Sequence, residues 1–349
     1  MSVKLKFNCV KVSAVFICML FLQWLNAQTD FSEVDRKFEA AKKELGGNAV
    51  ALIFKDGKII YQKALGEFNS KTQAPIASCS KWLTAALVMS FIDQGKLSLD
   101  DKVSKFIPIF SKYSKGYITI RHCLSHLTGI ESEPIRLLNL LGRKKFASLE
   151  EEVADFASKK EIQSTPGLEF RYSHIGLNIA GRVLEVLTKR SFEQLMQERI
   201  TRPLMMRNTN FSSFTAVNPS GGAISTASDY MNFLSMILNK GMFNGKRILS
   251  QKAIADMQTA QTTPAMIKYA PKVAKGYNYG FGEWIMETDA NDIATVVTSP
   301  GLFGTWPMVD NCRGYACIFF TKGLLGDEKK DIYLDIKKSI DEVIPSNCK

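Results

Sequence analysis

Residues 78–95 read Ser-Cys-Ser-Lys-Trp-Leu-Thr-Ala-Ala-Leu-Val-Met-Ser-Phe-Ile-Asp-Gln-Gly. From Trp82 to Ile92 the run is apolar almost all round, which predicts a helix buried on most sides rather than a surface helix with one apolar stripe. Gly95 ends it. At its head, Ser78 and Lys81 form a Ser-x-x-Lys pair. Residues three apart share one helix face, so the lysine amine can reach the serine hydroxyl. The helix N-terminus adds partial positive charge, which favours a developing alkoxide. To act as a base the lysine must be neutral, so its pKa must fall from ~10.4 toward ~7. Burial beside an apolar helix works in that direction, and the change corresponds to roughly 4–5 kcal/mol. Read without context, the same pair is a helix cap and a solvated lysine. A second Ser-x-x-Lys, Ser346 to Lys349, has no helix behind it and is read as chance.

On the N-terminal side, Phe31 to Leu45 has helical apolar spacing, and Gly46-Gly47 stops it. Ala49–Phe54 and Ile59–Leu65 read as two strands around Asp56-Gly57, a hairpin turn signal. Beyond Gly95 the patterns are mainly helical to about residue 265: Ile118–Leu127, Leu149–Ala157, Gly176–Leu187, Phe192–Ile200, Ala227–Leu238 and Gln251–Thr259. Strand signals return with alternating Tyr277, Tyr279 and Phe281, then Ile293–Thr298, Trp306–Val309 and Tyr315–Phe320. Asp331–Ile344 carries isoleucine every fourth residue and closes the chain as an amphipathic helix. The order predicts an α/β (α+β) fold, one layer completed by both chain ends with an all-helical subdomain inserted. The layer takes residues 28–77 and 270–345, the helical part 78–269, and 346–349 form a tail.

Residues 1–27 read as a secretory signal peptide: Lys4, Lys6 and Lys11, an apolar run from Val12 to Leu22, and a small-residue cleavage pattern ending at Ala27. The run is shorter than the ~20 residues of a spanning helix. An exported protein, periplasmic or extracellular and without stable membrane insertion after cleavage, is the expectation. The formal charge is +11 for 349 residues, and the leader takes three lysines with it. The remaining lysines are scattered, with no basic stripe or nucleic-acid motif, so no nucleic-acid partner is expected. Five cysteines remain beyond the leader: Cys79, Cys123, Cys312, Cys317 and Cys348. An odd count leaves at least one thiol free. The pairing is open, and Cys312 with Cys317 could close a short loop. No Cys-x-x-Cys pair marks a structural zinc site. His122 and His126 could place two metal ligands on one helix face, but no third ligand is evident, so structural roles are favoured. No metal or organic cofactor is expected.

Several further segments agree with one family. Pro166-Gly167-Leu168-Glu169-Phe170-Arg171-Tyr172-Ser173-His174 resembles the Pro-Gly…Tyr-Ser-Asn segment of the serine β-lactamase and penicillin-binding-protein superfamily. Thr119 to Gly129 is similar to its "TIRHLLSHTSG" helix, and Gly221 to Asp229 to its "GGxxSTAxD" helix start. Ser299-Pro300-Gly301-Leu302-Phe303-Gly304-Thr305 lies where members carry Lys-Thr-Gly or His-x-Gly. The resemblance spans about residues 30–345. It is closest to class C β-lactamases, DD-peptidases and family VIII carboxylesterases. It implies a β-lactamase/transpeptidase-like fold, an antiparallel sheet flanked by N- and C-terminal helices with a helical insertion.

It also implies roles. Ser78 is the acylated nucleophile, Lys81 activates it, and Tyr172 is the partner acid/base. The backbone N–H groups of Ser78 and Leu302 form the oxyanion hole, and His174, Ser299 and Gly301 face substrate. No Glu-x-x-x-Asn segment like that of class A β-lactamases is present, which points to the tyrosine route. Two positions depart from the pattern: His174 replaces an asparagine, and Ser299 replaces a lysine or histidine that meets a substrate carboxylate. Losing that cation removes an attraction of roughly 1.5–3 kcal/mol. The leading expectation is a serine hydrolase acting on small esters or amides. The alternatives are a β-lactamase or DD-peptidase acting on β-lactams or cell-wall peptides, and a binding protein that keeps the fold without turnover. Trp284 and Trp306 are read as core or pocket wall, Cys79 as a buried small residue, and Thr262–Gly276 as a loop shaping the entrance.

Overall fold

The computed structural model describes residues 29–133, 145–323 and 329–348. The leader reading falls on residues outside these. The helices are α1 (Ser32–Ala40), α2 (Ser80–Ile92), α3 (Ile109–Lys112), α4 (Ile120–Leu124), α5 (Leu149–Lys159), α6 (Ile175–Thr188), α7 (Phe192–Met196), α8 (Ala227–Leu238), α9 (Gln251–Gln258) and α10 (Lys330–Val343). The main sheet holds β1 (Ala49–Lys55), β2 (Lys58–Leu65), β3 (Asn278–Tyr279), β4 (Trp284–Thr288), β5 (Ala294–Thr298), β6 (Trp306–Asp310) and β7 (Tyr315–Thr321). Its order is β2-β1-β7-β6-β5-β4-β3, antiparallel throughout.

The two chain ends meet at the β1–β7 pairing, where Leu52 lies opposite Ile318. The β1–β2 turn places Asp56 at φ 50 and Gly57 at φ 79, the two left-handed residues that a tight hairpin needs. Strand side chains alternate between faces. Ala49, Ala51 and Ile53 pack with Cys317 and Phe319 against Phe38 of α1 and Ile336 and Ile340 of α10. Val50, Leu52, Ile318 and Phe320 face the other way, into the core that holds α2 and α8. With both faces covered, the strand reads as an unbroken apolar run, Ala-Val-Ala-Leu-Ile-Phe, instead of alternating with polar residues.

Helix α2 is the axis of the second layer. Every residue from Ser80 to Phe91 is buried, as its uniform apolarity predicts. Fully burying each of its Leu, Val, Met and Phe side chains contributes roughly 1.5–3 kcal/mol. The chain crosses this helix closely at Gly282, where φ is +79. A Cβ there would meet Ala85 Cβ at 2.5 Å and the Lys81 carbonyl at 2.7 Å. A side chain at 282 would therefore push the β3–β4 turn off the head of α2.

Several elements differ from the sequence expectation. The helix expected over Phe31–Leu45 ends at Ala40. The part expected to be all-helical, 78–269, also holds short strands at Phe170–Arg171, Ile224–Ser225, Met242–Phe243, Lys246–Arg247 and Ile267–Tyr269. The helix expected over Ile118–Leu127 is shorter, because the Ser125 hydroxyl donates to Arg121 O at 2.7 Å and His126 turns left-handed at φ 57. The Tyr277–Phe281 alternation yields a two-residue strand, because Gly280 and Gly282 turn the chain away. The helix expected over Phe192–Ile200 ends at Met196 and widens into a π turn, Gln197–Thr201. Among the described residues, no helix is long and apolar enough to cross a membrane.

Cys312 bonds to Cys348, not to Cys317. Cys317 sits inside β7 opposite Met308, fully buried, whereas Cys312 lies in the β6–β7 turn. The tail after α10 returns to that turn, where Asn347 N–H donates to Cys312 O at 2.8 Å. Cys79, Cys123 and Cys317 are free thiols.

Candidate active site

Ser78 lies in a 3₁₀ turn, Ala77–Cys79, that runs directly into α2. Ala77 has φ 44, a left-handed conformation that costs an L-residue roughly 1–2 kcal/mol. Hydrogen bonds to the segment 219–230 hold the turn in place. Ile76 N–H donates to Ala223 O at 3.0 Å, and Ala223 N–H to Ser80 Oγ at 3.1 Å. Thr84 Oγ1 donates to Pro219 O at 2.6 Å, and the Tyr230 hydroxyl to Cys79 O at 2.8 Å. The Gly221-Gly222 loop is thereby fastened to the helix that carries the serine.

Lys81 is only 2% exposed. Its Nζ lies 3.2 Å from Ser78 Oγ and 2.8 Å from Ser220 O, and 4.7 Å from the centre of the Tyr172 ring. The Ser220 anchor is itself held: its N–H donates to Asn178 Oδ1 at 3.0 Å, and Asn178 Nδ2 donates to the buried Glu152 at 2.8 Å. A chain of hydrogen bonds thus runs from α5 through α6 to the lysine.

Tyr172 follows the short strand Phe170–Arg171, and its ring packs 5.2 Å from Trp284 and 4.6 Å from His126. Burial pushes its hydroxyl pKa up, and hydrogen bonds with Ser78 and Trp284 pull it part of the way back. Burial likewise keeps Cys79 a thiol, so the neighbouring sulfur is not a second nucleophile.

Ser78 and Tyr172 open onto a cleft. Its walls are largely apolar: Pro271, Val273, Trp284, Pro300, Leu302 and Trp306, with Gly301 between them. Lys329 reaches its margin. The structure therefore brings together Ser78, Lys81, Tyr172, Gly301 and Leu302. His174 and Ser299 are not among the residues lining the cleft. Ser299 is 1% exposed, and its hydroxyl turns inward to Gly282 O at 3.1 Å and Ser78 O at 3.4 Å. It ties β5 to the head of α2. His174 sits at the start of α6 with its ring 5.4 Å from Phe156. Pro271 and Val273, within the loop read as an entrance, do line the cleft.

The two candidate metal histidines serve other ends. His122 Nδ1 accepts Thr119 N–H at 3.2 Å in a capping box, and His126 is buried. Among the described residues, no group of three His, Cys, Asp or Glu could hold a metal ion. Sequence reasoning missed the carbonyl of Ser220 and the Asn178–Glu152 support, because backbone acceptors and buried polar pairs leave no pattern in a single sequence. It also missed Glu283, in the turn before Trp284. Glu283 is fully buried, and neither of its carboxyl oxygens has a hydrogen-bond partner among the described residues. Burial pushes its pKa well above the carboxylate range.

An antiparallel sheet backed by two terminal helices, with a buried helix presenting a serine and a lysine one turn apart, defines a β-lactamase/transpeptidase-like protein. The family model described as Beta-lactamase matches residues 34–338, and the chain belongs to that family. It is 29% identical over 174 residues to "Protein flp" of Staphylococcus aureus (strain MW2), covering 47% of this chain and 34% of that protein. The match thus spans about a third of that relative's length. It is 23% identical over 280 residues to the D-alanyl-D-alanine-carboxypeptidase/endopeptidase AmpH of Escherichia coli (strain K12), covering 71% of this chain and 72% of that protein. The crystal structure of a β-lactamase-like protein from Bacteroides dorei DSM 17855 superposes with a TM-score of 0.79 at 28% identity, covering 89% of this chain and 98% of the other.

Proposed function

We propose that this hydrolase acts through an acyl-enzyme on Ser78 and takes small esters or amides that carry an apolar group. One observation carries the reading: Ser78 Oγ sits 3.2 Å from the buried Lys81 amine, beside Tyr172, at an apolar cleft. In the first half-reaction Ser78 Oγ attacks the substrate carbonyl carbon while its proton passes to neutral Lys81. The tetrahedral oxyanion is met by the N–H groups of Ser78 and Leu302. The C–O or C–N bond then breaks, and Tyr172 relays the proton to the departing alcohol or amine. Water repeats the sequence on the ester of Ser78, and the acid leaves. Position 299 supplies no cation to meet a carboxylate, which supports uncharged substrates over carboxylates. The leader pattern of residues 1–27 supports action outside the cytoplasm.

A second reading, hydrolysis of cell-wall peptides or β-lactams, is favoured by the relationship to AmpH; Lys329 lines the same cleft, with its ammonium donating to the Glu44 carbonyl. Parallel assays separate the two: hydrolysis of a short-chain nitrophenyl ester, and covalent labelling by a fluorescent penicillin. Ester turnover without labelling supports the first reading. Labelling without ester turnover overturns it, and loss of both signals leaves a binding protein.

A further inference from the structure

We propose that His126 is a positioning residue that fixes Tyr172 above the Ser78–Lys81 pair; the proposal rests on the reading of Tyr172 as acid/base partner. His126 lies just beyond α4, 3% exposed, with a left-handed backbone at φ 57. It takes hold of the chain on both sides of the tyrosine. Its carbonyl accepts Arg171 N–H at 3.2 Å, and its Nδ1 accepts Ser173 N–H at 3.3 Å. The amide between them, that of Tyr172, goes to Tyr269 O at 3.1 Å. Three consecutive amides are thus pinned, two of them to one residue.

The imidazole also faces the Tyr172 ring, with centroids 4.6 Å apart, and reaches Tyr279 Oη with Nε2 at 3.1 Å. The hydrogen bonds select one tautomer. Nδ1 accepts from Ser173, so Nε2 carries the single proton of a neutral ring and donates it to Tyr279. A doubly protonated ring would set Nδ1–H against Ser173 N–H, two donors with no acceptor between them. Burial holds the ring neutral, in agreement with that geometry. Tyr279 and Trp284 close the ring of contacts around Tyr172. The tyrosine hydroxyl has to meet Ser78 at hydrogen-bond reach, and a displacement of about 1 Å costs on the order of 10²-fold in rate. His126 itself has no place at the reacting atoms, so its removal should act on kcat and leave substrate binding alone.

The experiment compares kcat and KM on a short-chain nitrophenyl ester for wild type, His126→Phe, His126→Asn, Tyr172→Phe and the His126→Phe/Tyr172→Phe double variant. Phenylalanine keeps the ring volume and removes both polar contacts. Asparagine tolerates the left-handed backbone and returns an acceptor near the Nδ1 position. The expected results are a kcat loss of about 10²-fold for His126→Phe with little change in KM, recovery of about tenfold or more of that loss in His126→Asn, and a double variant no slower than Tyr172→Phe. Thermal melting establishes that each variant is folded. Should the phenylalanine variant not fold, His126→Gln replaces it, since its longer amide reaches the Tyr279 side rather than Ser173. A slow Tyr172→Phe beside a fast His126→Phe overturns the proposal alone, as does a multiplicative loss in the double variant. A Tyr172→Phe enzyme as fast as wild type removes the premise and the proposal together.

Discussion

Glu283 makes the stability of this fold depend on pH in a direction opposite to that of most carboxylates. It is fully buried, burial pushes its pKa well above the ordinary range, and its oxygens have no hydrogen-bond partner among the described residues. In the unfolded chain a glutamate ionises near 4.3. Above that point the unfolded state has released a proton that the folded state still holds. Stability therefore falls as pH rises, by about 1.4 kcal/mol per unit, until the raised folded pKa is passed. Below the carboxylate range the effect vanishes, because both states are protonated. Glu283→Gln keeps the shape and cannot ionise. Other titrating groups are common to both proteins and cancel in the comparison. Urea unfolding of both at pH 5.5 and pH 6.5 should show the advantage of the glutamine variant growing with pH, by at most about 1.4 kcal/mol over that one unit. An advantage that is equal at the two pH values would refute the claim that Glu283 is neutral in the fold.

Asn178→Ala strips the support from Ser220, leaves Glu152 without its Asn178 partner, and should cost about 1–3 kcal/mol in unfolding free energy. The same variant should slow ester hydrolysis by freeing the carbonyl that holds Lys81; unchanged stability and rate would contradict the network. Reducing Cys312–Cys348, which closes a separation of 36 residues, should lower stability by roughly 2–4 kcal/mol, read as a fall in melting temperature with added dithiothreitol. If the Leu302 N–H is an oxyanion donor, as proposed, Leu302→Pro should lower kcat by ~10²–10³; an undiminished kcat in a folded variant would assign that role elsewhere.

Much of this architecture was legible from local chemistry. Asp56-Gly57 marked the hairpin because only residues that accept a left-handed backbone suit that turn. The all-round apolarity of Trp82–Ile92 marked a helix with no solvent face. Ser78 and Lys81 were legible because three residues along a helix make neighbours, and Tyr172 because its segment resembles a known motif. What escaped depends on long-range packing. His174 and Ser299 occupy the expected places in the sequence, yet one ring turns to Phe156 and the other hydroxyl turns to Gly282 and Ser78. Cys317 is near Cys312 in the chain, but its strand register carries it into the core. The partner, Cys348, is brought back only by the length of α10. His126 read as one more helical residue, because nothing in the sequence announces that the helix stops two residues before it.

The most direct test of the account is intact mass spectrometry of the protein and of Ser78→Ala, each mixed with a short-chain nitrophenyl ester and, separately, with a penicillin. Ester turnover, and an acyl adduct trapped on quenching, should occur only with Ser78 present, and penicillin should leave the mass unchanged. Hydrolysis by Ser78→Ala at the wild-type rate would contradict it.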